Sequence, residues 1–404
     1  MNKALGKLLL GCLLSALFCT SAFAAEFVCF KDVPTKTWSK EEQKNIDLFW
    51  DETLVYLEEY INAIKTPTGM CVNSAEAVVS TYNPKTKTYE TECIIKKRDV
   101  ELMVKHVRAI LAEPEKAKKC FDPQLSSDIG WSKIYTPSRE LQNLSPVSKW
   151  INRPIAVDYY EKMKDPEIKE AGIKLNKNFV EITKKTDSSY HFNRDITIKG
   201  LPNLWASVGW IPFYAENEKA WNKFFRGGYL YAEVMGPWGN LRVDTIDGQK
   251  VDAEIGMTVQ INNSSYPVHF HHPQEIYMTL TVPAHEGQNK FFAMDWDSQH
   301  FPVQPTKDGF DVALNAGENW EELYLDGDPD KFWLLYLERN ALHAFFAADP
   351  ENAKLENTGW VSTWARTTSR DNEQTTRLSV PVDKNTKRIM PYTPVTAHTR
   401  NWKP

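Results

Sequence analysis

The spacing of apolar residues divides the chain into a helical first half and a strand-rich second half. After Ser39, apolar side chains recur every three or four residues, which is the period of one helix face. Ser39 and Glu42 have the spacing of a capping box, so a helix is predicted to begin here. The apolar positions of this helix are Ile46, Phe49, Trp50, Leu54, Leu57, Ile61 and Ile64.

More elements are predicted in the same half. Apolar spacing predicts helices over residues 103–111, 145–163 and 166–182, and the last of these has a proline in its first turn. Between the first two helices, Asn83-Pro84-Lys85 separates two short strand-like runs and predicts a hairpin.

From about residue 196 the pattern changes to short apolar or alternating runs broken by Gly, Pro, Asn and Asp. Such runs predict antiparallel strands in a sandwich or barrel, and Asp247-Gly248 predicts a tight turn between two of them. The predicted fold class is therefore α+β. A helical N-terminal domain over residues 25–195 would be followed by an antiparallel β-barrel domain over residues 196–404.

The first 24 residues have the features of a secretory signal peptide. Lys3 and Lys7 precede an apolar run, and Ala22-Phe23-Ala24 fits the cleavage pattern, so the mature chain would begin at Ala25. No later segment is long and apolar enough to predict membrane insertion. Beyond this leader 46 basic and 53 acidic residues remain. This acidic balance gives no reason to expect nucleic acid or an anionic membrane as a partner.

Four cysteines follow the leader, all in the first third of the mature chain: Cys29, Cys71, Cys93 and Cys120. An even number in an oxidising compartment predicts one or two disulfides in the N-terminal region. Three connectivities are possible, and the spacing does not choose among them. A four-cysteine zinc site is the less favoured alternative because no CxxC pair occurs.

The densest group of chemically active side chains is the run from His269 to Tyr277. Residues two apart on a strand share a face, so His269 and His271 would project together, as would Glu275 and Tyr277. Residues 272–274 are predicted to form a turn that folds the two strands into a hairpin. Imidazole and carboxylate groups are ordinary ligands of zinc, with iron, manganese and nickel as alternatives.

The second half of the chain also offers a further ligand. Residues 332–337 and 342–346 predict a second hairpin, which would place His343 on a strand among apolar neighbours. A lone histidine in such a setting is usually a core residue, but the cluster lacks one ligand for a closed set, so His343 is predicted to complete it. The histidines assigned structural or surface roles are His106, His191, His285, His300 and His398.

The pattern HxHxxxE, followed later by one histidine on a strand, resembles the two metal-binding motifs of cupins. Tyr277, two residues after Glu275, narrows the resemblance to the cupin-type dimethylsulfoniopropionate (DMSP) lyases, and the leader, length and helical first half resemble their periplasmic branch. The resemblance implies a cupin-like barrel, a periplasmic location and one divalent metal ion. The implied metal ligands are His269, His271, Glu275 and His343. It also implies that Tyr277 is the catalytic base and that Tyr266 is a second catalytic tyrosine.

The resemblance implies a small-molecule substrate, DMSP, which is cleaved to dimethyl sulfide and acrylate. The metal would act as a Lewis acid, aromatic rings would bind the sulfonium, and Arg226 or Arg242 would steady the carboxylate. The aromatic candidates are Trp205, Trp210, Tyr229, Tyr231, Trp238, Trp296, Trp333, Trp360 and Trp364. The alternatives are another metal-dependent cupin, such as an iron dioxygenase or sugar isomerase, and a non-catalytic periplasmic binding protein.

Overall fold

A computed structural model describes most of the regular elements of the chain. The described residues are 25–33, 35–65, 78–83, 88–93, 98–123, 164, 166–183, 196–212, 228–237, 239–251, 253–261, 264–271, 274–281, 290–294, 303–306, 309–314, 321–324, 334–337, 342–347, 359–366, 374–378 and 393–401. The predicted signal peptide and the predicted helix over residues 145–163 lie outside them.

The helices of the described chain are α1 (Lys40–Lys65), α2 (Arg98–Ala112), α3 (Pro114–Ala117), α4 (Pro166–Thr183) and α5 (Pro202–Ser207). Three of them, α1, α2 and α4, lie where the apolar spacing predicts them, whereas the short helices α3 and α5 are not predicted. The capping box is confirmed, since the Ser39 backbone N–H donates to the Glu42 carboxylate at 2.8 Å and the Glu42 N–H donates to the Ser39 hydroxyl at 3.2 Å. Within the described residues, no helix has the length and apolarity to cross a membrane.

The strands pair in antiparallel sheets, and three of the described strands lie before residue 196. The strands up to the first histidine motif are β1 (Phe27–Cys29), β2 (Val78–Asn83), β3 (Thr88–Cys93), β4 (Trp210–Pro212), β5 (Tyr229–Met235), β6 (Val243–Ile246), β7 (Gln249–Lys250), β8 (Glu254–Ile261) and β9 (Ser264–His271). The later strands are β10 (Glu275–Thr281), β11 (Lys290–Met294), β12 (Val303–Thr306), β13 (Gly309–Leu314), β14 (Glu321–Tyr324), β15 (Leu334–Leu337), β16 (Leu342–Ala347), β17 (Gly359–Arg366), β18 (Gln374–Leu378) and β19 (Thr393–Asn401).

Two large sheets dominate this arrangement. One has six strands in the order β15-β10-β17-β8-β5-β4, and the other has eight in the order β12-β13-β19-β18-β9-β16-β11-β14. A three-stranded sheet, β1-β6-β7, and the pair β2-β3 complete the set. The α+β class is therefore confirmed. The strand orders of the described residues are open, so the predicted barrel and the predicted division into two domains remain predictions.

Two predicted turns are confirmed by the strand pairing. Strands β2 and β3 pair from Val78 opposite Cys93 to Asn83 opposite Thr88, as the Asn83-Pro84-Lys85 break predicts. Asp247 and Gly248 join β6 to β7 with φ angles of 51° and 74°. Two successive positive φ angles are what the favoured two-residue hairpin turn requires, and Asp-Gly supplies them at low cost.

The two hairpins predicted around the histidines are wrong in their pairing. β9 belongs to the eight-stranded sheet and β10 to the six-stranded sheet, so residues 272–274 connect two sheets. Likewise β15 pairs with β10, whereas β16 pairs with β9 and β11. A short polar break between two strands suits a crossing between sheets as well as a hairpin, and the local sequence does not distinguish the two.

The helices cover one face of the six-stranded sheet. Helix α4 packs against β8 and β17. Two buried phenols of α1 reach the same sheet: the Tyr56 hydroxyl donates to the Gly256 carbonyl at 2.6 Å and the Tyr60 hydroxyl to the Ile276 carbonyl at 3.4 Å. Burial raises the pKa of both phenols well above 10, so they stay protonated donors. The first part of the chain thus anchors the backbone of strands β8 and β10.

A disulfide joins Cys29 to Cys120, one of the pairs that the sequence leaves open. Both ends pack beside the segment leading into β6, where the Phe30 N–H donates to the Arg242 carbonyl and the Arg242 N–H donates to the Cys120 carbonyl, each at 2.9 Å. The side chains of Cys71 and Cys93 lie outside the described residues. The bridge therefore joins β1 to the segment that follows α3, and both segments bond to the backbone of Arg242.

Replacing both Cys29 and Cys120 with alanine is expected to lower the free energy of unfolding by about 2–5 kcal/mol, because the bridge closes a long loop in the unfolded chain. The bonded cysteines are 91 residues apart in sequence. Urea unfolding of the oxidised protein and the double variant measures the difference. An unchanged unfolding midpoint on reduction of the wild-type protein would contradict a stabilising bridge.

Candidate active site

The six-stranded sheet carries a row of charged residues on the face opposite the helices. Strand register places Glu275 on β10 opposite Arg366 on β17, and Arg366 opposite Glu254 on β8. Since side chains alternate along a strand, this row faces away from Ile255 and Ile276, which belong to the apolar core on the helix side. Glu275 is 2% exposed and Glu254 5% exposed, so two carboxylates are buried here.

The next row along the same face is aromatic. Tyr277 lies opposite Trp364, and Trp364 lies opposite Gly256. A Cβ atom on Gly256 would lie 2.7 Å from two carbons of the Trp364 indole, so only glycine leaves room for the ring across β8. The indole also stacks on Tyr231 of β5, with ring centroids 4.8 Å apart and planes at 23°. The result is a packed aromatic layer beside the charged row.

A third carboxylate, Glu233, completes the polar face at β5. Its side chain accepts a hydrogen bond from the Tyr231 hydroxyl at 2.6 Å and another from the Gly239 backbone N–H at 3.0 Å. Burial, followed by the charges of Glu233 and Glu254, raises the pKa of Tyr231 well above 10. Tyr231 therefore stays a neutral phenol that donates to Glu233.

Arg366 supplies the positive charge among the side chains that the structure describes on this face. Its Nε donates to Glu275 Oε1 at 3.0 Å, and its Nη1 lies 3.6 Å from Glu254 Oε2, an ion pair too long to be a hydrogen bond. Its guanidinium lies 5.8 Å from the centre of the Trp364 ring. With Glu233, three carboxylates face one guanidinium within the described part of this face. An excess of buried negative charge suits a bound cation.

The eight-stranded sheet brings two of the predicted histidines to adjacent positions. His343 on β16 lies directly opposite His269 on β9, and His271, at the end of β9, lies opposite Thr375. Paired strands run about 4.8 Å apart. Tyr266 lies opposite Phe345, two residues further along β16. Only the backbone is described at His269, His271, His343 and Tyr266.

Two neighbouring chain crossings bring these positions to one corner of the molecule. The chain leaves β9 at His271 and enters β10 at Glu275. It leaves β15 at Leu337, which lies opposite Glu275, and enters β16 at Leu342, one residue before His343. Both crossings therefore run between the same two sheets at the same ends of paired strands. His271, Glu275 and His343 all lie at these ends.

The chemistry of this corner fits a divalent metal ion. Glu275 is a buried carboxylate on a face with excess negative charge, and the backbone positions of His269 and His343 lie opposite each other on the sheet that the chain has just left. Imidazole and carboxylate groups commonly bind a metal together. Among the side chains that the structure describes, no group of three or more His, Cys, Asp or Glu residues could hold a metal ion. The three histidines of the predicted set are not among those side chains.

Part of this face is not predicted by the sequence. Glu233, Glu254 and Arg366 are not among the predicted site residues, and Tyr231 and Trp364 are two of nine aromatic candidates. A signal was present in the sequence, because Tyr231 and Glu233, like Trp364 and Arg366, have the same two-residue spacing as Glu275 and Tyr277.

Other candidates named for substrate binding lie elsewhere. Arg242 forms a buried ion pair with Asp122 at 3.7 Å, and its Nε donates to the Gly239 carbonyl. Trp205 and Trp210 stack on each other in the core, with centroids 5.6 Å apart. Arg226, Trp238, Trp296 and Trp333 lie outside the described residues.

Comparison with known proteins identifies the class of protein as a lyase. The family model of dimethylsulfoniopropionate lyases matches residues 181–307, which include β8, β9 and β10. The dimethylsulfoniopropionate lyase DddY of Shewanella woodyi is 37% identical over 357 residues, covering 86% of this chain and 84% of that protein. The chain therefore belongs to the DddY-type DMSP lyase family, and it is an enzyme.

Solved structures show more distant likenesses. The DMSP lyase DddQ from Ruegeria pomeroyi DSS-3 is 13% identical, with 57% of this chain and 87% of that chain covered and a TM-score of 0.28. A cupin-2 domain protein from Rhodospirillum rubrum is 11% identical, with 41% and 72% covered and a TM-score of 0.22. The family assignment rests on the Shewanella woodyi relative.

Proposed function

We propose that this protein is an exported, metal-dependent enzyme of the periplasm that cleaves DMSP to dimethyl sulfide and acrylate by β-elimination, with Tyr277 as the base. The main support is that Glu275 and Tyr277 lie on a buried polar strand face of β10, and that β10 follows directly on β9, where His269 lies opposite His343. The name of the Shewanella woodyi relative supports the substrate.

The proposed metal ligands are the imidazoles and the carboxylate of this corner. They are His269, His271, Glu275 and His343. Zinc is the proposed ion, and iron, manganese and nickel accept the same ligand types. When bound, the metal supplies Lewis-acid stabilisation of the negative charge that develops beside the substrate carboxylate.

Tyr277 is proposed to remove the proton from the carbon next to the substrate carboxylate. Its side chain is 4% exposed, and it lies two residues, or about 7 Å, along β10 from Glu275 on the same face. A free phenol ionises only near pH 10, so a phenolate base needs a cation close by, and a metal at Glu275 provides one. Tyr266, the second proposed catalytic tyrosine, lies on β9, the strand that precedes β10 in the chain.

The elimination that follows is balanced within the substrate. As Tyr277 takes the proton, the electron pair of the C–H bond forms the C=C bond of acrylate and the C–S bond breaks. Its electrons leave with the sulfur as neutral dimethyl sulfide. The rings of Tyr231 and Trp364, with the carboxylates of Glu233 and Glu254, form surroundings that suit the sulfonium cation before it leaves.

Purified protein supplied with DMSP is expected to release dimethyl sulfide into the headspace, and a chelator should abolish this release until zinc is restored. Equal rates with and without oxygen would separate the lyase from an iron dioxygenase, which consumes oxygen. Gas chromatography and acrylate measurement follow both products. Tight binding of DMSP to metal-loaded protein without any product would instead favour a binding protein and would contradict the proposed reaction.

A further inference from the structure

Arg366 stands between two buried carboxylates in the middle of the polar sheet face. It is the last residue of β17, and the register places Glu275 on one side of it and Glu254 on the other. Its Nε–H donates to Glu275 Oε1 at 3.0 Å, while Nη1 lies 3.6 Å from Glu254 Oε2. The shorter, hydrogen-bonded contact is the one to Glu275.

The guanidinium is held in place by the aromatic layer beside it. Trp364 lies two residues earlier on β17, so both side chains share one face, and the guanidinium lies 5.8 Å from the ring centre. The indole is fixed in turn by its stack on Tyr231 and by the space that Gly256 leaves across β8. The Arg366 side chain is only 13% exposed, so it has little freedom to move away from Glu275.

We propose that Arg366 is a positioning residue that holds the Glu275 carboxylate by Oε1, so that this carboxylate presents Oε2 to the metal ion. The inference rests on the proposed function, since it takes Glu275 as a metal ligand. Arg366 does not touch the metal or the substrate in this role. It sets the rotamer and the binding mode of a ligand that does.

The charge of Arg366 and its hold on Glu275 have opposite effects on metal affinity, so the proposed role can be tested. A guanidinium near the site repels a divalent cation, so a purely electrostatic effect predicts tighter metal binding when Arg366 is removed. Loss of a fixed ligand orientation predicts weaker binding, typically by about 10–100-fold when a residue that supports a metal ligand is replaced. We expect the loss of orientation to dominate because the Nε–H of Arg366 donates a 3.0 Å hydrogen bond to a carboxylate that is only 2% exposed.

The test compares metal affinities of purified variants by competition with a chelator of known zinc affinity. Arg366→Met keeps most of the side-chain volume and should bind zinc about 10–100-fold more weakly. Arg366→Lys keeps the charge but lacks the planar guanidinium group, so its zinc affinity should lie between those of the wild type and Arg366→Met. The control is Ser362→Ala on the same strand and face, which removes a buried 2.8 Å hydrogen bond to Thr258 and should leave zinc affinity unchanged.

A spectroscopic signature separates positioning from a general loss of stability. The visible absorption of the cobalt-substituted protein reports ligand geometry, and it should change in Arg366→Lys while the folded protein keeps its circular dichroism. Wild-type zinc affinity or tighter binding in Arg366→Met, or an unchanged cobalt spectrum in Arg366→Lys, would overturn the inference. A wild-type protein that binds no metal would instead contradict the proposed function itself.

Discussion

A Tyr277→Phe variant is expected to keep its metal and lose at least about 100-fold in turnover of DMSP, because a positioned acid or base typically contributes 10²–10⁴-fold. Phenylalanine retains the ring, which is buried at 4% exposure, and removes only the hydroxyl. The fold and the neighbouring Glu275 should therefore be preserved. Dimethyl sulfide release and elemental analysis of the same preparation measure turnover and metal content together.

Tyr60→Phe is the matched control for this variant. Tyr60 is also a buried phenol, and its hydroxyl contacts β10 from the helix side by donating to the Ile276 carbonyl at 3.4 Å. Its removal should lower stability slightly and leave turnover within a few-fold of wild type. Full activity in Tyr277→Phe would remove it as the base. An equal loss in Tyr60→Phe would show that the loss comes from a displaced strand.

Local features of this fold could be predicted from the sequence because neighbouring residues determine them. The capping box at Ser39 and Glu42 makes both of its hydrogen bonds, and Asp247-Gly248 forms the turn that its positive φ angles allow. In each case the interacting groups lie within a few residues of one another. Amphipathic spacing located α1, α2 and α4 for the same reason.

Strand partners could not be predicted in the same way. The sequence marks β9, β10, β15 and β16 as strands, but it does not show that each short connection passes from one sheet to the other. Pairing is decided by which faces must be buried together, and that depends on the whole set of strands. Both hairpins predicted around the histidines are therefore wrong, although His343 still lies opposite a predicted ligand, His269.

The residues of the candidate site also differ in whether local sequence or strand pairing reveals them. Glu275 and Tyr277 could be found because they lie in one dense motif with two-residue spacing. Arg366 lies 91 residues after Glu275, and only the pairing of β10 with β17 brings the two together. A lone arginine at the end of a strand gives no sign of such a partner. Spacing along one strand therefore does not predict the residues that contact a motif from a neighbouring strand.

A His343→Ala variant is expected to lose most of its bound metal and with it the lyase activity. His343 lies opposite His269, and loss of a direct ligand should weaken metal binding by more than the roughly 10–100-fold that loss of a supporting residue costs. The control is His398→Ala on β19, opposite Arg377, which itself lies opposite His269. His398 is thus two strands, or about 10 Å, from His269 and beyond the reach of a shared ion. Elemental analysis should give a stoichiometric metal content for the wild type and His398→Ala only. A wild-type metal content in His343→Ala would contradict its role as a ligand, and an equal loss in His398→Ala would place the ion further along the sheet.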